Sequence, residues 1–124
     1  MANPNITAVQ SIYGNTTYLI PSTANTATTW TSLTPASGTV YKVNSITASN
    51  VTAFAISITL SINSAVAGGG TAYRIAYMIT VPANASLIIT DKTTAFYVGE
   101  TQSVVATSGV GNAIELVASY DSIS

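Results

Sequence analysis

Four carboxylates, Asp91, Glu100, Glu115 and Asp121, are the side chains of this 124-residue sequence with the clearest capacity for chemistry. Two of them brought together in a cleft could act as acid and base or hold calcium. Their settings speak for other uses: Asp91 opens a turn at "DKTT", Glu100 sits in the turn "VGET", and Glu115 and Asp121 read as solvated. Histidine and cysteine are absent, which removes Ser-His-acid catalysis, histidine or thiolate metal sites and disulfides. The glycines at 68–70 lack the Lys-Ser/Thr pair and the helix of a phosphate loop, and read as a loop tip. The chain is therefore read as no enzyme, with no catalytic residue, cofactor or metal ligand assigned. Aromatic rings remain: Trp30 and the seven tyrosines could stack on a sugar. Trp30, whose neighbours are all polar, is the first candidate for an exposed contact.

The elements that must position these residues repeat with period two. In "FAISITLSIN" (54–63), Phe54, Ile56, Ile58, Leu60 and Ile62 alternate with Ala55, Ser57, Thr59, Ser61 and Asn63, so one strand face is apolar and the other polar yet uncharged. After the glycines, Tyr73, Ile75, Tyr77, Ile79 and Val81 alternate again, which predicts an antiparallel hairpin closed by Pro82. Weaker strands are read on either side of a turn at Gly14-Asn15, in the Thr-rich "TATTWTSLT", in "SLIIT", "AFYV" and "QSVVATS", and over 113–120. In "TVYKVNSITASN" the apolar phase changes, which predicts a bulge near Asn44 or Ser45. No segment holds a helical stripe, so the expected fold is all-β: a single antiparallel β-sandwich, jelly-roll-like, of eight or nine short strands over residues 1–124, with a short N-terminal arm at 1–5.

Charged residues make up 6% of the chain where about a quarter is usual. Three cations form no basic patch, so nucleic acid is excluded as a partner. Mean hydropathy is +0.44, yet Thr, Ser, Asn or Gly interrupts every apolar run before the roughly eighteen residues of a spanning helix. An outer-membrane barrel would need an export signal and aromatic girdles, so no membrane partner is expected. "MANPNITAVQ" has neither a basic nor an apolar leader region, which leads to an expectation of cytoplasmic synthesis without a signal peptide. Asn-x-Ser/Thr triplets at Asn5, Asn15, Asn50 and Asn84 read as chance in so Asn- and Thr-rich a chain.

A free monomer keeps itself soluble with mixed charge and guards its sheet edges with Lys or Pro. This chain has little of either, which points to faces covered by other subunits, since an unpaired charge buried at an interface costs several kcal/mol. The polar face of 54–63 then reads as a packing surface towards a neighbour. The plain alternative is that Thr-rich sheets tolerate water.

The opening "MANPNITAVQSIYGNT", the middle "YKVNSITASN" and the long tail from "VPANASLIITDKTTAFYVGETQSVVATS" to "IELVASYDSIS" resemble small virion structural proteins of tailed bacteriophages, notably those infecting cyanobacteria and other aquatic bacteria. The resemblance implies a non-enzymatic building block of the virion in multiple copies: a capsid decoration or cement protein, or a neck or tail accessory protein. Its implied partners are copies of itself and other virion proteins. The alternative is a receptor- or glycan-binding domain of a tail fibre, with Trp30 and one or two tyrosines as its platform.

Overall fold

The computed structural model describes residues 9–124; the expected arm at 1–5 and the triplet at Asn5 lie outside the described residues. The described residues form nine strands: β1 (Ile12–Leu19), β2 (Thr28–Thr29), β3 (Val40–Asn50), β4 (Ile56–Asn63), β5 (Ala72–Val81), β6 (Ser86–Thr90), β7 (Phe96–Val98), β8 (Ser103–Ser108) and β9 (Ile114–Ile123). They make two antiparallel sheets. Sheet A has the order β1-β9-β3-β6, with β7 also on β3; sheet B has the order β2-β8-β4-β5. The pairs β1·β9, β2·β8, β3·β6 and β4·β5 nest inside one another, so the chain is one long antiparallel ribbon rolled into a sandwich. That is the jelly roll.

Alternation explains which faces meet. Ile56, Ile58 and Leu60 of β4 and Ile114, Leu116 and Ala118 of β9 point into one shared core. On β3, Val43 and Ile46 are both fully buried although three residues apart. The register against β9 slips between Val43 and Ser45, leaving Asn44 as the extra residue of the expected bulge. Tyr41 and Tyr120 pack at this point with ring centroids 4.7 Å apart, and burial first, then Tyr41, lifts the Tyr120 hydroxyl pKa above 10.0.

Four local expectations fail, each for a physical reason. Gly14-Asn15 is no turn: β1 runs straight through it, because eight residues pair continuously with β9. Phe54 lies ahead of β4 and is 76% exposed, since the chain at 51–55 is tied down by Asn50 instead of by strand pairing. The Thr-rich segment gives only the two residues of β2 before turning into a 3-10 turn, Thr31–Leu33, whose Leu33 plugs the core. On β5 the register against β4 slips twice, between Ile58 and Leu60 and between Leu60 and Ser61. Ile75, Ala76 and Ile79 therefore pack inward while Tyr73 and Tyr77 turn outward. Met78 takes φ 47° at the first slip and donates its N–H to Thr59 Oγ1 at 2.9 Å.

Two polar devices close loops. Buried Asn50 donates from Nδ2 to the carbonyls of Phe54 (2.7 Å) and Val81 (3.0 Å), while its Oδ1 accepts from the Thr52 amide (2.9 Å) and hydroxyl (2.7 Å). Asn50→Leu keeps the volume but strands Val81 O and the Thr52 amide, so urea unfolding should show a loss of about 2–3 kcal/mol. Asp91 caps the 3-10 turn Lys92–Thr94: its Oδ1 accepts from Thr93 Oγ1 (2.6 Å) and Thr93 N (2.9 Å). These bonds, the hydroxyl's first, hold the Asp91 pKa below 3.8. The cap's contribution is present above the unfolded value and is lost as pH falls through the lower folded one. A carbon-detected NMR titration should accordingly place the Asp91 midpoint below 3.8, and Asn at this position should remove the pH dependence of the Thr93 amide shift.

Candidate functional site

The registers of sheet A place Tyr18 opposite Val117, Val117 opposite Thr47, and Thr47 opposite Ile88. One row thus crosses four strands on the outer face, spanning about 14 Å at the usual strand spacing. Tyr18 is 74% exposed, Val117 42% and Ile88 66%. Serines and threonines flank it: Thr16 lies opposite Ser119 on one side, and Ser49 and Ser86 share a hydrogen bond of 2.8 Å on the other. A shallow groove of about 310 Å³ opens beside the row, lined by Tyr18, Leu19, Ile20, Glu115, Leu116 and Val117.

Charge sits only at the two ends of this face. Glu115 is one step beyond Val117, while Lys42 and Asp121 face each other in the register at the far end, with no ion pair between them among the described residues. Beside Glu115 and Tyr18, strand β1 forms the sheet edge. Among the described residues it pairs with β9 on one side and with no strand on the other. It carries no charge and no proline, the usual protections of an edge.

The outer face of sheet B is built differently. Thr29, Val105, Ser61 and Arg74 form its cross-strand row. At one end the loop at 64–71 folds over it: Gly68 N donates to Ser103 Oγ (2.9 Å), Ser103 Oγ to Ala65 O (2.7 Å) and Asn63 Nδ2 to Gly68 O (2.9 Å). Gly68 has φ +76°, and a Cβ there would stand 2.9 Å from Thr29 Oγ1, so glycine is required for the loop to lie this close. Ser61, Asn63 and Ser103 are buried as a result. This corrects the reading of the β4 polar face as a surface kept for a neighbour: half of it is covered by the chain's own loop.

Trp30 is corrected as well. Expected as an exposed contact, it is 1% exposed and belongs to the core. Its indole Nε1 donates to Thr17 Oγ1 at 3.4 Å and its amide to Val104 O at 2.7 Å. Polar sequence neighbours misled here because the segment crosses from one sheet to the other, and Trp30 is the side chain that fills the crossing. The carboxylates stay dispersed: Asp91 and Glu100 occupy separate turns, and Glu115 and Asp121 lie six positions apart on β9. Glu100 is not idle, since its Oε2 accepts from Gly38 N at 2.9 Å and ties two turns together.

The apolar row of sheet A was missed, although it left a signal. Tyr18-Leu19, Leu87-Ile88 and Leu116-Val117 are consecutive apolar pairs in strands that otherwise alternate. In each pair one residue faces the core and the other faces out.

No protein-family model matches the sequence, and no curated protein matches it. Among solved structures the chain is similar to one described under "Bacillus endospore appendages form a novel family of disulfide-linked pili", at 18% identity over 99% of this chain and 92% of that one, with a TM-score of 0.49. Disulfide linkage is said of those pili; this chain contains no cysteine.

Proposed function

We propose that the chain is a non-enzymatic structural subunit that assembles in multiple copies, packing against a second copy of itself through the outer face of sheet A. The observation that carries this is the exposed row Tyr18, Val117, Thr47 and Ile88, itself free of charge and flanked by hydroxyls except at Glu115. Such residues desolvate cheaply, whereas a charged face would not. Strands of 8, 10, 11 and 5 residues present a face of about 540 Å², so that two copies would bury about 1,100 Å² in total, just above the ~1,000 Å² expected of a biological interface.

Charge placement is compatible with a second copy. With the two faces related by a twofold axis and strands antiparallel, Glu115 of one copy meets the end of the other that bears Lys42 beside Asp121, and the uncharged middles of the two faces meet each other. Jelly rolls build viral capsids and lectins alike, so the fold by itself does not choose. The setting we assign to the assembly is the virion of a tailed phage, on the capsid or in the neck or tail, after synthesis in the host cytoplasm. The sequence resemblance supports that setting. Light scattering of the purified protein at micromolar concentration should report a dimer or larger; a monomer that also fails to bind isolated particles would overturn the proposal.

A further inference from the structure

The outer face of sheet B holds two adjoining hollows of about 240 Å³ each, one at its open end and one running up to the loop at 64–71. Thr59, Arg74 and Thr107 line both, so Arg74 of the edge strand stands at the divide between them. No carboxylate lines either hollow. Arg74 makes no ion pair among the described residues; its guanidinium instead lies 5.3 Å from the Tyr77 ring centroid. In a chain of net charge -1, this is a local positive site with its charge unspent.

The floor is built of hydroxyls on paired strands. Thr59 and Thr107 are register partners between β4 and β8. Thr59 Oγ1 already accepts the Met78 N–H, so its own hydrogen is directed elsewhere, and the Thr107 hydroxyl makes no hydrogen bond to the described residues. Gly109 lets the turn after β8 approach Ser57 at the rim of one hollow, because a Cβ there would stand 2.8 Å from Ser57 Oγ. The β5 bulges belong to the same site: Met78, at φ 47°, turns Tyr77 and itself to the rim. Bulges of this kind re-aim side chains beside binding sites.

We infer that this trough binds an acidic oligosaccharide, with Arg74 meeting a carboxylate between two sugar subsites, Tyr77 at the rim and the threonine hydroxyls of the floor meeting ring hydroxyls. Hydroxyls that both donate and accept suit a polyhydroxylated ligand, a guanidinium suits a planar carboxylate, and the hollows are shallow and of mixed polarity where an apolar ligand would need a deep one. The inference is independent of self-assembly through sheet A, which lies on the opposite side of the sandwich.

The test is an amide NMR titration of the intact protein with tetragalacturonate, beside neutral maltotetraose. Shifts are expected at Thr59, Arg74, Tyr77, Thr107 and Gly109 with the acidic probe, weakening as salt is raised. Arg74→Ala should weaken binding about tenfold or more, since a charge-assisted contact is lost; Arg74→Lys should restore part of it, and Thr107→Val should weaken it without altering the salt dependence. Absence of shifts with both probes, shifts located outside the trough, or equal binding of maltotetraose with no effect of Arg74→Ala would each overturn the inference.

Discussion

Val117→Lys should leave the sandwich folded and take the assembly apart. Val117 points outward from the middle of sheet A and is 42% exposed, so in a single copy the lysine stem lies along the sheet with its ammonium in water. Folding stability should then change by about 0.5 kcal/mol or less, as at other surface positions. In the assembly the same ammonium is enclosed between Tyr18 and Thr47, its register partner on either side, and the carboxylate near it is Glu115, one step along β9 at the end of the face. A buried charge without a well-formed partner costs about 3 kcal/mol or more, which is about a hundredfold or more in the dissociation constant. Sedimentation velocity on the variant should show a monomer where the parent is assembled, with a cooperative thermal melt that no longer depends on protein concentration. Val117→Thr, of similar shape, should assemble nearly as the parent does. Retention of assembly by the lysine variant would place the interface elsewhere.

Trp30→Ala should be the most damaging single change to the fold. The indole is 1% exposed, bridges the two sheets and is among the largest fully buried side chains of the core. Removing it loses apolar burial and leaves a cavity, at about 3–5 kcal/mol, against a total stability of about 5–15 kcal/mol for a domain of this kind. Thr17 is also left without its indole donor. Urea unfolding followed by circular dichroism should show a midpoint far below the parent's, or no folded baseline. Trp30→Phe should cost clearly less, since most of the ring area is kept and only the 3.4 Å bond to Thr17 is lost. Equal effects of the two variants would mean that the hydrogen bond, and not the packing, holds the sheets at this point.

Much of the fold was legible because its cause is local. Alternation in "FAISITLSIN" set the inward face of β4, Pro82 ended β5 at Val81, and the changed phase of "YKVNSITASN" announced the bulge at Asn44. Two antiparallel sheets of eight or nine short strands follow from short alternating runs between turns with no helical connection, whereas the order of the strands does not. What stayed hidden depends on partners distant in sequence. Gly14-Asn15 carries the composition of a turn, yet β9 supplies eight pairing residues and the strand prevails. Trp30 has only polar neighbours in sequence, but Thr17 and Val104 approach it from elsewhere in the chain. Tyr73 and Tyr77 fit an inward stripe until the slips against β4 turn them outward.

The site divides in the same way. The shortage of charge was visible in composition and pointed to a covered surface. Which surface was not visible, because the β4 polar face and the outer face of sheet A have similar compositions. Only the rolled topology shows that the loop at 64–71 covers half of the first and that Tyr18, Val117 and Ile88 line up across the second.

The absence of native cysteine permits a direct measurement of whether that second face is covered. Ile88→Cys places a single thiol at the end of the row, at a position 66% exposed in one copy. Its rate of maleimide labelling should be followed from nanomolar to high micromolar protein, with a thiol at exposed Thr101 as the reference. Protection of the Ile88 thiol that grows with concentration, while the reference stays reactive, is the result expected if copies pack through sheet A. Equal and complete labelling at every concentration, in protein that light scattering shows to be assembled, would contradict it.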